Sequence, residues 1–576
     1  MSHEKKTTAD ELYHIWLEKA SETLRYELED IADDAEDISD RFFQPLAFGT
    51  GGLRGVIGAG TNRMNIHTVG LATQALADWL GHKGSVAIAR DSRSKSKEFS
   101  EAAACVLAAN GITVHFSREL QPTPVLSYAV RKLGCSGGIV ITASHNPAIY
   151  NGYKCYGPDG GQMTDDSAHQ VEACMARLDI FTDVKTGGFD GFAGQGLINY
   201  IDDDFIEGYL DAVQSCQVEP EAAAKAGLRV VYTPLCGAGN KPVRAILRRI
   251  GVTVEVVAEQ ENPDGNFPRC PFPNPQYAEA FDAARDVAED LKKNGTPADL
   301  LLATDPDCDR VGIAVRDGEA YTLMSGDEVG ALMLDYLLSR RKENGTLSER
   351  PVAVKSIVTS AIADKICAEH GCELRACLTG FKYIGEIITN LETAGEAQRF
   401  VMGYEESYGY LAGTYARDKD AVFGAMMICE MASYYKLQGR SLLEVMAGLY
   451  DKHGYYVHRQ VSMKFEGESG MDQMAGIMDG LRGHKPSEIA GVPVVDWLDY
   501  KASVKSVGGS ESAIGLPKSN VLEFVGADGS ILTARPSGTE PMLKFYFTAA
   551  LSTAALSTAR LDAMEKFVRD FVRDQD

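Results

Sequence analysis

Residues 85–147 read SVAIARDSRSKSKEFSEAAACVLAANGITVHFSRELQPTPVLSYAVRKLGCSGGIVITASHNP. The hydrophobic period changes along this stretch. VAIA, ITVHF and GGIVIT are short apolar runs, whereas KEFSEAAACVLAAN and PVLSYAVRKLG place apolar residues three and four apart, as an amphipathic helix does. Strands alternating with helices predict a mostly parallel sheet covered by the helices that connect its strands. The rhythm restarts at LRVVYTPLCGAGN, from Leu228, and again at PVAVKSIVTS, from Pro351. From about Tyr455 it changes. VLEFVGADGSILTARPSG and MLKFYFTAA read as antiparallel strands around an Asp-Gly turn, followed by a long C-terminal helix.

These restarts predict an α/β protein of four domains: three related mixed or parallel α/β sheet domains plus a C-terminal α+β domain, around one central cleft. The expected boundaries are 1–200, 201–320, 321–455 and 456–576. The length of 576 residues agrees, at about 150 residues per domain. No Gly/Ser-rich linker separates the parts, so direct packing of domains is expected, and such junctions favour ligand clefts.

Composition removes several classes of function. The chain has 57 Lys and Arg against 81 Asp and Glu, a formal net charge of −24. A nucleic-acid surface or an anionic-membrane surface needs a positive footprint, so neither partner is expected. A small anionic ligand stays compatible if its site is a local basic island. The 12 cysteines are dispersed, with no CxxC pair, which predicts reduced thiols rather than a disulfide framework or a zinc site. Leu12, Ile15, Trp16 and Leu17 have helical spacing in a charged N-terminal segment without a signal-peptide apolar core. No apolar run approaches the roughly 20 residues of a membrane span. A soluble, cytoplasmic protein is expected, as a monomer or weak homo-oligomer.

Four short segments carry chemistry. Ser144 follows the apolar run IVIT, where open α/β sheets place ligands, with His145, Asn146, Gly152 and Lys154 close behind. The residues two positions to either side of Ser144 are Thr142 and Asn146, so the glycines of a hydrolase nucleophile elbow are missing. In ATDPDCDR, Asp305, Asp307 and Asp309 alternate between two apolar runs. Three carboxylates held together repel unless a hard cation such as Mg²⁺ or Mn²⁺ neutralises them; an acidic solvated turn is the alternative. An EF-hand is excluded, since its obligatory Gly and Glu positions hold Arg310 and Arg316.

In TARPSGTEPMLKFY, Arg535, Ser537, Gly538 and Thr539 combine a guanidinium, two hydroxyls and free backbone N–H groups, a set suited to a phosphate dianion or simply to a β-turn. In GYEESYGY, Glu405 and Ser407 offer a carboxylate and a hydroxyl to vicinal sugar hydroxyls. The early run FGTGGLRGVIGAG is neither a Walker loop nor a dinucleotide fingerprint. It is read as a flexible loop carrying Arg54, a candidate phosphoryl clamp.

Taken in order, one per predicted domain, TASHNP, DPDCDR, GYEES and RPSGTEP resemble the phosphoserine, metal, sugar and phosphate loops of the α-D-phosphohexomutase superfamily, the phosphoglucomutase and phosphomannomutase enzymes. The resemblance spans the chain from Gly49 to the final helix and is nearest the long bacterial phosphoglucomutase type. GYEES departs from the GEMSG form of the bifunctional phosphomannomutase branch.

The resemblance implies Ser144 as a phosphoserine. One Mg²⁺ would be held by Asp305, Asp307, Asp309 and a Ser144 phosphate oxygen, with Arg54 and Arg310 stabilising charge. Lys154 is the implied general acid/base, with His145 competing. Lys382 and Lys419 are implied near the sugar, alongside Glu405 and Ser407. The implied reaction interconverts glucose 1-phosphate and glucose 6-phosphate through glucose 1,6-bisphosphate, which turns over in the cleft while the last domain closes. A phosphomannomutase, a phosphopentomutase, a phosphosugar phosphatase and a non-catalytic sugar-phosphate sensor are the alternative readings.

Overall fold

The computed structural model describes residues 8–49, 51–465, 470–537 and 542–573. They form two compact units: one within 1–324, 384–400 and 408–437, the other within 325–383, 401–407 and 438–576.

In the first unit, the segment 85–147 folds as its periodicity predicts. Strand Ser85–Arg90 pairs in parallel with Thr113–Phe116 on one side and Gly137–Ile141 on the other. Helices Ser96–Ala109 and Thr123–Leu133 make the crossovers. The second helix has Pro124 in its first turn, where a missing N–H costs nothing. It stops at Gly134, in the left-handed conformation that only glycine adopts freely. Gly52–Val56 and Tyr150–Tyr156 add two antiparallel strands at one edge, and Ile198–Tyr200 closes the other, for six in all.

A second sheet of five strands runs in the order Ala320–Met324, Val311–Asp317, Leu300–Thr304, Arg229–Thr233, Thr253–Val256. Its central strand Leu300–Thr304 is buried along its whole length, as expected of a strand covered on both faces. A small outer cluster packs Tyr13, Trp16, Leu28 and Phe42 from the N-terminal helices.

In the second unit, helix Gly326–Glu343 starts at a capping box formed by Ser325 and Glu328. Strand Val352–Ser356 lies between Glu373–Cys377 and Phe400–Glu405. The C-terminal part is an eight-stranded sheet whose recorded pairings are antiparallel, covered by helices Gly470–Gly483 and Ala554–Arg573. Leu532, Ala534, Leu543, Phe545 and Phe547 alternate inward along neighbouring strands, and Leu561, Met564 and Val568 of the last helix meet them. Every described cysteine is a free thiol, and all but Cys174 are buried. Among the described residues no helix is long and apolar enough to cross a membrane.

Candidate active site

The serine loop is built at the carboxyl end of strand Gly137–Ile141. Ser144 has φ +51°, a left-handed conformation that costs a non-glycine residue about 1–3 kcal/mol and so must be held from outside. The holding groups come from the end of the neighbouring strand. Asp91 is buried and accepts hydrogen bonds from Arg93 N (2.9 Å), Ser96 Oγ (2.8 Å) and Thr142 Oγ1 (2.6 Å). Thr142 Oγ1 in turn accepts from Ser144 N at 2.8 Å. Neither Asp91 nor Arg93 was singled out among the sequence candidates. The signal available was their position in ARDSR, directly after a predicted strand.

The aspartate turn is built in the same way at the end of strand Leu300–Thr304. Asp305 Oδ1 accepts the backbone N–H groups of Asp309 (3.1 Å) and Arg310 (3.0 Å), which closes the turn, and Cys308 sits at φ +52°. Gly237 is required beside it. A Cβ there would lie 2.6 Å from the Pro306 Cα, while Ala238 N donates to Pro306 O at 2.8 Å.

The two turns meet. Ser144 Oγ donates to Asp305 Oδ2 at 2.8 Å and lies 3.0 Å from His145 Nδ1. Asp305, Asp307 and Asp309 each offer an oxygen, all within 4.8 Å of one another. Lys154 Nζ donates to Asp307 Oδ2 at 3.0 Å and lies 3.8 Å from Asp309 Oδ2. Lys419 Nζ faces Asp309 Oδ2 at 2.8 Å, and Arg310 Nε faces Asp309 Oδ1 at 3.7 Å. Thr123 Oγ1 also donates to Asp307 Oδ2, at 3.0 Å.

Burial and the charges of Asp307 and Asp309 push the Asp305 carboxyl well above the usual range. Burial also opposes ionisation of Asp307, but Lys154, the hydrogen bond with Asp305 and Lys419 outweigh it and hold Asp307 below that range. Asp309 is raised by burial and by Asp307. Asp307 Oδ1 and Asp309 Oδ1, both buried, accept no hydrogen bond among the described residues. Orphaned carboxylate oxygens in an all-oxygen donor set fit a hard divalent cation, which would satisfy their lone pairs and favour their ionised forms.

Arg54 corrects the sequence reading. It lies within strand Gly52–Val56, paired opposite Gly152, and not on a flexible loop. The strand forms because the Tyr150–Tyr156 edge offers it a complete antiparallel partner, and Gly52 admits the close approach of the Tyr153 carbonyl. Arg54 Nη1 reaches Asn146 Oδ1 at 3.5 Å, beside the serine loop.

The remaining candidates belong to the second unit. Glu405, the last residue of its strand, is buried and accepts from Gly380 N at 2.8 Å, two residues before Lys382. Lys382 Nζ lies 5.0 Å from the centre of the Tyr383 ring. Ser407 is half-buried in the turn that follows. Arg535 lies on strand Ile531–Pro536, paired opposite Lys544. Burial and Glu406 push the Tyr546 hydroxyl up to about 12, against the pull of Arg535. Ser537 ends this segment with its N–H donating to Met542 O at 2.7 Å. Gly538 and Thr539 lie outside the described residues.

Fold and site together define a multidomain α/β protein in which strand-end turns set a serine hydroxyl against a cation-ready cluster of buried carboxylates. Profiles of the phosphoglucomutase/phosphomannomutase family match it throughout: alpha/beta/alpha domain I at residues 45–180, domain II at 207–318, domain III at 325–453 and the C-terminal domain at 485–566. The chain belongs to this family. A phosphoglucomutase of Staphylococcus saprophyticus is 33% identical over 95% of this chain and 98% of its own, and one of Staphylococcus haemolyticus is 35% identical over 88% and 91%. The crystal structure of a phosphomannomutase from Thermus thermophilus shares the fold, with a TM-score of 0.68 at 22% identity over 91% of this chain and 99% of that one.

Proposed function

We propose that the protein is a phosphoglucomutase, an isomerase that interconverts glucose 1-phosphate and glucose 6-phosphate by way of a phosphoserine at Ser144 and a glucose 1,6-bisphosphate intermediate. The observation that carries this reading is Ser144 Oγ at 2.8 Å from Asp305 within the cluster of three buried carboxylates. A simple acid–base site has no use for that arrangement, whereas phosphoryl transfer depends on charge neutralisation and in-line placement. The staphylococcal phosphoglucomutases, at 33% and 35% identity over nearly the whole chain, favour glucose as the sugar.

Asp305, Asp307, Asp309 and an oxygen on phosphorylated Ser144 would hold one Mg²⁺, which when bound offsets negative charge on the transferring group. In the forward half-reaction the bond between phosphorus and Ser144 Oγ breaks. A new bond forms to the free sugar hydroxyl, whose proton passes to neutral Lys154, or to neutral His145 in its place, and on to the departing Ser144 Oγ. The bisphosphate turns, its other phosphoryl group returns to Ser144, and the serine proton passes by the same residue to the sugar oxygen. Arg54 and Arg310 stabilise the moving charge. Glu405 and Ser407 hold sugar hydroxyls, Lys382 and Lys419 lie near the sugar, and Arg535, Ser537, Gly538 and Thr539 grip the distal phosphate. Domain limits of 1–200, 201–320, 321–455 and 456–576 assign these groups to successive domains.

The test compares kcat/KM for the 1-phosphates of glucose, mannose and ribose with bisphosphate primer and Mg²⁺, with Ser144→Ala as control and phosphate release monitored in parallel. Preference for glucose, no turnover in the variant and a phosphoserine seen by intact mass are expected. Turnover surviving in Ser144→Ala, or phosphate release as the main reaction, would overturn the reading.

A further inference from the structure

The Arg93 side chain is fully buried. It points into the serine loop. Nη1 donates to Pro147 O (2.9 Å) and Tyr150 O (3.1 Å), and Nη2 donates to Ser144 O (2.5 Å) and to Asn146 O, so one side chain gathers four backbone carbonyls of a single loop. Nε faces Asp91 Oδ2 at 3.4 Å, and the same Asp91 oxygen accepts from Thr142, which takes the Ser144 N–H. Asn151 Nδ2 completes the lacing by donating to Ser94 O at 2.9 Å and Ser96 Oγ at 3.0 Å.

A third segment holds the arginine from its other face. The Phe267 ring centre lies 5.1 Å from the guanidinium carbon, and Phe267, at φ +48°, is itself buried. Its loop closes down so far that a Cβ on Gly265 would sit 2.4 Å from Ser94 N.

Resting on the mutase reading, we propose that Arg93, clamped between Asp91 and Phe267, is the positioning residue of the phosphoryl-carrying serine. It touches no reacting atom. Its planar fork holds the Ser144–Tyr150 backbone in the strained conformation that aims Ser144 Oγ at the aspartate cluster. A lysine keeps the charge but has a single nitrogen, which cannot span four carbonyls with the same geometry. Misplacement of a reacting group by about 1 Å costs on the order of 100-fold in rate.

The experiment compares wild type, Arg93→Lys and Asp91→Asn, assayed well below their unfolding midpoints with glucose 1-phosphate, primer and Mg²⁺, alongside amide hydrogen exchange of each unligated protein. A fall in kcat of about 10- to 100-fold with KM for the sugar phosphate little changed is expected, with faster exchange confined to 142–151. A purely structural role predicts a different pattern: exchange rising across the whole sheet and activity falling in proportion to folded protein. Unchanged kcat, or unchanged exchange in 142–151, sinks the proposal. Should Arg93→Lys fail to fold, Asp91→Asn carries the test: it leaves Arg93 in place and loosens the anchor that the arginine shares with Thr142 and, through Thr142, with the Ser144 N–H. A wild type without mutase turnover would instead refute the functional reading, and exchange would still report on Arg93.

Discussion

Arg535 is the guanidinium of the proposed distal phosphate grip. It projects from an antiparallel strand, paired opposite Lys544 and close enough to pull the Tyr546 hydroxyl down, so its position is set by register rather than by a loose turn. A guanidinium held this way is preorganised to take two oxygens of a phosphate. Arg535→Ala should raise KM for glucose 1-phosphate by about 10-fold or more, as loss of a charge-assisted hydrogen bond worth roughly 1.5–3 kcal/mol implies, with a smaller effect on kcat. Steady-state kinetics with wild-type values for both constants would show the residue to be part of a plain turn. Ser144 and Cys308 mark the other pattern. Both have left-handed backbones at turns that meet, and strain of this kind persists only where surroundings hold it.

Between residue and sheet stand the turns, and they are interlocked. The Asp305–Asp309 turn packs on the Pro234–Gly239 turn so closely that only glycine fits at position 237. In Gly237→Ala the new methyl group meets the Pro306 backbone, which cannot swing away as a flexible side chain would. We expect the aspartate turn to shift and Mg²⁺ to bind about 10- to 100-fold more weakly, the penalty typical of disturbed supports around metal ligands. Isothermal titration of Mg²⁺ into both proteins reads this directly; equal affinities would mean that the turn absorbs the methyl group without moving its carboxylates. Serine and aspartate turns each start where a buried parallel-sheet strand ends, which is why both face the same side of their sheets.

The molecule as a whole carries a charge of −24, yet its candidate site gathers Lys154, Lys419 and Arg310 around three aspartates. Its folding stability is set elsewhere too. His458, in the C-terminal part, lies 3.8 Å from Asp327 and 3.1 Å from Thr548 Oγ1, and its Nε2 is buried without a hydrogen bond among the described residues. Burial holds its imidazole at about 4 against an ordinary 6.5, outweighing the opposite pull of Glu406. Below pH 6.5 the unfolded chain therefore binds a proton that the folded chain refuses. The resulting stability is complete above pH 6.5 and is lost as the pH falls toward 4. Asp327, raised by burial to about 7, has the opposite slope over its own range. His458→Gln should remove on the order of 3 kcal/mol of acid sensitivity between pH 6.5 and 4. Parallel unfolding-midpoint profiles for variant and wild type over that range would refute it.

Periodicity alone was enough to read the three α/β repeats and the antiparallel tail, because period 2 against period 3.6 is a property of consecutive residues. The motifs were likewise legible, since Ser144 and the three aspartates follow apolar strands and residue type carries their chemistry. Arg54 was misread as lying on a flexible loop because its strand exists only through pairing with Tyr150–Tyr156, nearly a hundred positions away in the chain. Arg93 was missed for a similar reason. Nothing in ARDSR says whether an arginine faces water or turns inward, and only the folded packing of 91–96, 142–151 and the Phe267 loop converts it into the clamp of the serine loop. Local order follows from neighbours in sequence; which charges are buried, and on what, follows from neighbours in space.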